Sequence, residues 1–506
     1  MSSQPWDVRL RRVNWDPVPS RFSVRRRVRY LVLLGVPLAI WYFGWLLNPD
    51  RVGTPYLYGI LIAAEVFNLT QALGFWWTCA NERVRERRGP SQWTAVDVFV
   101  PVYKEPPDIV DLTVAAAKGI RGAEVRVHVL DDGKDPAMAE LARRHGVNYI
   151  TRPDNKGAKA GNINHALTKT NAPFIAVFDS DHVADPAFLE ATLGWMDDPQ
   201  IAFVQTPQYY ANTETSRIAA ASWSQQALFF GAIARGKDGL GAVFCCGTNV
   251  LFRRAAFESV GGFPTNSLTE DFELSIHLHE RGWKSAYIPD VLARGLGPED
   301  TASYVSQQQR WARGCLSGVP RALRARLPLK LKLQYLLSGV YFLSGWTILV
   351  YMSFPVIRLL GGGQPIGGIT APEFLLHFGP YYILALSMAA LAGAGSYTFA
   401  AFALSAANFW IHVLATIYTV LRKSGSFVVT PKKGAAARQP GAVMPALAAV
   451  AILILASIYG LVRHPNASTI NNVSFAALHV SILMTGCWAA LEKPRAAALE
   501  PAEVGA

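Results

Sequence analysis

Two pairs of acids stand directly behind apolar runs. Asp131-Asp132-Gly133 follows the run 127–130, and Asp179-Ser180-Asp181-His182 follows the run 174–178. An open parallel sheet binds its ligands in the crevice beyond the carboxyl ends of its strands, so acids in these places face a ligand. Gly133 permits the turn that aims its neighbours into that crevice. Carboxylates at i and i+2 on one loop both reach a single hard cation. Mg²⁺ or Mn²⁺ held this way keeps open positions for substrate phosphates. Read singly, each run is an Asp-Gly turn or a solvated acidic loop. Two such strand ends in one domain favour a metal–phosphate site at Asp179 and Asp181.

Three further groups fit that chemistry. Asn155-Lys156-Gly157-Ala158-Lys159-Ala160-Gly161-Asn162 combines small residues, which let backbone approach a ligand, with the point charge of Lys159 for phosphate. Thr269-Glu270-Asp271 follows Gly261-Gly262-Phe263. An acid held near an acceptor hydroxyl serves as a general base. The same residues also suit a helix N-cap with acids in its first turn, and both readings are compatible. Gln307-Gln308-Gln309-Arg310-Trp311 offers a guanidinium fork for a diphosphate and an indole face for a sugar ring. The competing reading is an interfacial Trp with a snorkelling Arg.

The surrounding chain has to position these groups at a membrane. Of 506 residues, 51% are hydrophobic and 17% charged, and the mean hydropathy is positive. Soluble domains carry about a quarter charged residues. The net charge of +12 suits basic cytosolic loops and an anionic substrate. A nucleic-acid partner is not expected, because no zinc spacing is present and the aromatics sit in apolar runs rather than among basic residues. The five cysteines, Cys79, Cys245, Cys246, Cys315 and Cys487, are odd in number and scattered, which argues against a disulfide framework.

A spanning helix needs roughly 20 apolar residues. Segments 30–47 and 54–80, flanked by Arg25-Arg26-Arg27 and the basic stretch 83–88, form a hairpin with both ends in the cytosol. The first run lacks a cleavage site and reads as a retained anchor. Residues 91–327 have the composition of a soluble domain, with short apolar runs alternating with helical segments. That pattern predicts an α/β layer with a mainly parallel sheet. Membrane character returns over 333–490. Spans are expected near 333–357, 381–394, 443–461 and 476–490, and 401–421 is either a span or a helix at the interface. Six spans plus an interfacial helix keep the basic clusters on one side. Residues 1–29 form a cytosolic segment and 491–506 a short cytosolic tail.

In this order the motifs resemble the processive family-2 glycosyltransferases, and most of all bacterial cellulose synthase catalytic subunits. The likeness rests on Asp-Asp-Gly at 131–133, Asp-x-Asp at 179–181, Thr-Glu-Asp at 269–271 and Gln-x-x-Arg-Trp at 307–311. Three more elements join them: Val100-Pro101-Val102-Tyr103-Lys104-Glu105, Phe244-Cys245-Cys246-Gly247, and Phe427-Val428-Val429-Thr430-Pro431-Lys432. The resemblance covers about 97–432. It implies a GT-A-type (Rossmann-like) domain inserted into an α-helical membrane domain of the plasma (inner) membrane. By that likeness Tyr103, Glu105, Asp131 and Asp132 meet the uridine of a UDP-sugar. Lys159, Gln307 and Arg310 face its diphosphate, and Asp179 and Asp181 hold Mg²⁺ or Mn²⁺. Asp271, with Glu270 beside it, is the base. Trp311, Cys246 and Gly247 hold the acceptor sugar, and Phe427, Thr430 and Lys432 belong to a loop that closes over UDP.

The implied reaction makes a β-glucan from UDP-glucose and extrudes it, with the nascent chain and the bilayer as partners and room for an accessory periplasmic or cell-envelope subunit. No cyclic-di-GMP-binding domain is expected after the last span. A synthase using another UDP- or GDP-sugar (hyaluronan-, chitin- or mannan-like) shares the catalytic motifs. A non-processive lipid glycosyltransferase does not need Gln-x-x-Arg-Trp, and a transporter with a nucleotide-sensing domain would make no product.

Overall fold

The computed structural model describes residues 25–422 and 440–491. Strand β1 (Ala95–Val102) is an inner strand, apolar except for Asp97, which is paired with His128 and Arg254, and it is buried on both faces, as a sheet covered by helices requires. Val96, Val98, Val100 and Val102 join one hydrophobic core, while Phe99 joins the other. The alternation follows from the two-residue period of a strand. Beside β1 run β2 (Glu124–Asp131) and β3 (Asn148–Ile150) on one side, and β4 (Phe174–Val177) on the other. A second, small sheet contains β5 (Val183–Ala184). The main sheet continues with β6 (Ile201–Gln205), and β7 (Tyr209–Tyr210) returns to the small one. Strands β8 (Val250–Arg253) and β9 (Lys284–Tyr287) complete the main sheet, in the order β3-β2-β1-β4-β8-β6-β9, and β10 (Ala293–Gly295) lies between β5 and β7 in the small one.

The expected mainly parallel sheet is therefore mixed. β8 runs antiparallel to both β4 and β6, and the other neighbours pair parallel. The helices that supply residues to the cavity described below are α1 (Ala158–Leu167), α4 (Glu270–Glu280) and α5 (Thr301–Arg324), and between α1 and α4 in the chain lie α2 (Arg217–Leu228) and α3 (Ala234–Leu240).

Six helices among the described residues are long and apolar enough to cross a membrane. They are Arg25–Leu46, Pro55–Ala80, Leu329–Gly361, Pro372–Ala392, Gly441–Arg463 and Ala467–Ala489, called the first to sixth spans here. The segment 401–421 is neither a straight span nor a straight interfacial helix. Helices Phe399–Ala407 and Phe409–Val420 meet at Asn408 with a bend of 44°. The Asn408 side chain donates to the Leu404 carbonyl at 2.7 Å, a local bond that competes with the helical ladder. The expected closing loop with Phe427, Thr430 and Lys432, most of the N-terminal segment and nearly all of the tail lie outside the described residues.

Candidate active site

Strands β2, β1 and β4 are parallel neighbours, so the segments that follow them reach one rim of the sheet. A cavity of about 410 Å³ opens there, within the range of small-molecule sites. Tyr103, Glu105, Asp132, Lys159, Asp179, Asp181, Cys246, Gly247, Glu270, Asp271, Gln307, Arg310 and Trp311 all line it. Residues more than two hundred positions apart, from Tyr103 to Trp311, thus share one pocket.

Asp131 is the exception. It is fully buried and does not line the cavity. One carboxylate oxygen accepts from the Gly133 amide at 2.7 Å, and the other from the Asp135 amide and the Tyr149 hydroxyl at 2.8 Å each. It builds the turn, as the first acid of an Asx-type turn does.

Asp132 does reach the rim, with both oxygens engaged by Arg152 at 2.6 and 2.7 Å. Arg152 also donates to the carbonyls of Lys156 and Ala158 at 2.6 and 2.9 Å, and so shapes the glycine–lysine loop. Nothing in the sequence marks Arg152, a lone basic residue after a short strand. Removing one partner of a buried pair leaves an uncompensated charge, at a cost of about 3–5 kcal/mol. Arg152→Ala is accordingly expected to lower the unfolding midpoint clearly, as read by thermal denaturation in detergent. An unchanged midpoint would refute this role.

Asp179, Asp181 and His182 offer ligand atoms that all lie within 4.8 Å of one another. His182 Nε2 is buried with no hydrogen-bond partner, while Nδ1 lies 3.1 Å from Asp181 Oδ1. The imidazole fits because Gly295 has no side chain, since a Cβ there would lie 2.4–2.6 Å from three ring atoms. Two carboxylates and an orphaned imidazole suit a divalent cation of the Mg²⁺/Mn²⁺ kind. His182 sits within the motif, yet the sequence alone gave it no role.

Lys159 pairs with Asp179 and donates to the Gly247 carbonyl at 2.8 Å. Burial lowers the affinity of Lys159 for its proton, but the charges of Asp179 and Glu270 outweigh that and raise its pKa. Burial raises the Asp179 carboxyl, yet the Lys159 and His182 charges hold it below the usual carboxylate range.

Asp271 lies in the first turn of α4, where acids favour the helix dipole. Its Oδ1 accepts from the Phe272 amide at 2.8 Å. Burial first, then the charge of Glu270, push its carboxyl up to about 7, in the range of a base poised for neutral pH. Gly247 stands opposite with φ of +80°, and a Cβ there would lie 3.1 Å from Asp271 Oδ2. Both the backbone angle and the close approach therefore require glycine.

Helix α5 supplies the last wall. Asp300 caps it, accepting from the Ser303 amide at 2.9 Å. Asp300, Ser303, Gln307, Arg310 and Trp311 all face the cavity, at helical spacing. Gly314 lets the helix lie against Thr269, since a Cβ there would fall 2.2 Å from that side chain. This contact sets Arg310 and Trp311 relative to Asp271. Away from the cavity, Trp311 packs with Ala312, Leu316, Phe342 and Ala415, so the same helix rests on membrane helices. The cavity lining also includes Gln208, Tyr210, Asn212 and Glu299, which sequence reasoning missed because they fall outside every motif.

The chain is similar to known glycosyltransferases. Residues 174–421 match the family model described as glycosyl transferase family group 2. The chain is 35% identical over 433 residues to cellulose synthase 1 of Komagataeibacter xylinus, covering 81% of this chain and 28% of that protein. It is 33% identical over 370 residues to the UDP-forming cellulose synthase catalytic subunit of Pseudomonas fluorescens strain SBW25, covering 69% of this chain and 49% of that one. The chain thus spans half or less of the length of these two relatives. Its fold is similar to that of a mannosyltransferase from Pyrobaculum calidifontis solved with GDP-Man and Mn²⁺. That likeness has a TM-score of 0.55 at 17% identity and covers 73% of this chain and 100% of the other. At such identity the likeness is one of fold alone.

Proposed function

The chain belongs to the cellulose synthase-like family-2 glycosyltransferases, with a GT-A-type domain set between membrane helices, and from that premise we propose that it polymerises glucose from UDP-glucose into a β-glucan and passes the chain across the plasma membrane. The observation that carries this reading is the convergence of four separated motifs on one cavity whose wall, α5, also rests on the membrane helices. A polar polymer needs a protein-lined path through lipid, and a transferase pressed against the bundle can feed one.

Tyr103, Glu105 and the edge carrying Asp132 hold the uridine, on the cytosolic side. Lys159, Gln307 and Arg310 face the diphosphate. Asp179 and Asp181, with His182, would hold Mg²⁺ or Mn²⁺, which supplies positive charge to the UDP leaving group. Trp311, Cys246 and Gly247 hold the terminal sugar of the growing chain. Asp271 takes the proton from an acceptor hydroxyl, and that oxygen forms the new bond to the anomeric carbon as the bond to UDP breaks. Attack from the face opposite UDP turns an α-linked donor into a β-linked product.

Vesicles containing the purified chain, given UDP-glucose, UDP-N-acetylglucosamine, UDP-glucuronate or GDP-mannose with Mg²⁺ or Mn²⁺, test the proposal. UDP-glucose is expected to yield polymer that β-1,4- or β-1,3-glucanase degrades. Transfer of a single sugar to lipid, or polymer from another donor only, would overturn it. Adding cell-envelope extract reads whether an accessory subunit raises the yield. Within this scheme Trp311→Ala is expected to slow elongation about tenfold, the value of a lost stacking contact, with UDP affinity nearly unchanged. Equal loss of both would instead mark a folding defect.

A further inference from the structure

Behind the acceptor side of the cavity lies a buried polar set that the reaction does not use. Lys237, on α3, is only 4% exposed. Its Nζ donates to Ser338 Oγ at 2.8 Å, Gln334 Oε1 at 3.1 Å and the Gln334 carbonyl at 3.3 Å. Gln334 is buried as well, and its amide donates to Thr78 Oγ1 at 2.9 Å. Thr78 lies near the end of the second span and Gln334 near the start of the third, so one lysine on the catalytic domain is tied to the third span and, through Gln334, to the second. The fit is close: a Cβ on Gly236 would fall 2.2 Å from the Thr78 carbonyl.

The same ammonium lies 5.3 Å from the centre of the Phe244 ring. Phe244 packs edge-on against Phe272, with centroids 5.1 Å apart. Phe244 directly precedes Cys245-Cys246-Gly247, and Phe272 directly follows Asp271. The cavity face of this wall therefore carries Cys246, Gly247 and Asp271, its back carries two phenylalanines, and Lys237 stands behind them against the third span. Among the described residues no carboxylate pairs with Lys237. Burial pulls its pKa down to about 7, with the Cys246 and Cys315 thiols opposing the fall. Burying an ammonium without a counter-charge is costly, and an apolar side chain would fill the seam at lower cost.

We propose that Lys237 is a positioning residue for processive transfer, tying the acceptor-holding wall to the third span so that the terminal sugar stays aligned with the membrane path between additions. This rests on the processive reading above. Lys237→Met keeps the length of the side chain and removes its donors. It is expected to shorten the product about tenfold, with the KM for UDP-glucose within about twofold of the parent and UDP-binding capacity retained. Ser338→Ala, which removes a single bond, should shift product length in the same direction by less. Lys237→Arg should retain part of the length that Lys237→Met loses.

A residue that merely fills the seam predicts fewer UDP-binding molecules making chains of unchanged length, and that result would overturn the proposal. If the parent chain makes no polymer, the processive reading fails. The tie is then read separately by maleimide labelling of Cys246, quantified on its peptide. Faster labelling in Lys237→Met supports the tie, and an unchanged rate overturns it.

Discussion

Asp271→Asn is expected to stop polymer synthesis, with kcat falling by about 10²- to 10⁴-fold, the usual worth of a positioned general base. Single-turnover assays and isothermal titration with UDP would read the two halves of the prediction. UDP affinity should persist, because the asparagine keeps the shape of the wall beside Gly247 and, in the proposed arrangement, the diphosphate meets Lys159 and Arg310 instead. Full polymer yield from this variant would remove Asp271 from the chemistry.

The protonation of Asp271 adds a pH signature. Its carboxyl stands at about 7 in the folded chain, raised by burial and then by Glu270. A base works only when deprotonated, so kcat/KM should rise with pH through about 7 and fall away below it. The linkage to stability has the opposite sign. A folded pKa raised above the unfolded value contributes stability that is present below the unfolded carboxylate pKa and is lost as pH rises through about 7. Glu270→Gln removes the second cause of the shift and should move the acid limb of the rate profile to lower pH. A limb that stays in place would show that Glu270 does not tune the base.

Asp181→Asn should be nearly as damaging as loss of the base, because it removes one of the two carboxylates expected to hold the cation beside the diphosphate. Chelation of divalent ions should arrest the parent chain, and added Mg²⁺ or Mn²⁺ should restore it. The variant should remain slow, about 10²-fold or more below the parent, at any practical concentration of metal. His182→Ala is expected to be milder, raising the metal concentration needed for half-activity by about 10- to 100-fold. Undiminished transfer in excess chelator would reject a metal-assisted reaction. The contrast between the two variants is a direct measure of whether the orphaned Nε2 of His182 faces the cation.

The residues of the site differ in how legible they were. Asp181 and Asp271 stand out in the chain because each belongs to a short motif of adjacent functional groups, and the Asp179–His182 run follows an apolar strand. Asp131 looked equivalent to Asp132, since adjacent side chains at the end of a strand carry no sign of which one turns inward. The turn at Gly133 and Asp135 draws Asp131 into the protein and leaves Asp132 at the rim. Arg152 and Lys237 have no motif around them. Their meaning comes from partners 20 and 97 residues away, which no local pattern records. The bend at Asn408 was equally hidden, because hydropathy measures whether a segment prefers lipid and not whether its helix is straight.

What the amino-acid sequence determined alone is the order of apolar runs, basic flanks and acidic strand ends. These are local properties, and they suffice to separate a membrane part from an α/β part and to nominate the acids. The tertiary structure decided which of those acids meet. Parallel neighbours β2, β1 and β4 bring their carboxyl ends to one rim, and the glycines at 247, 295 and 314 let three further pieces of chain approach within contact of it. Convergence of this kind depends on chain direction and close packing between distant segments. Neither quantity exists until the sheet and the helices on it have formed.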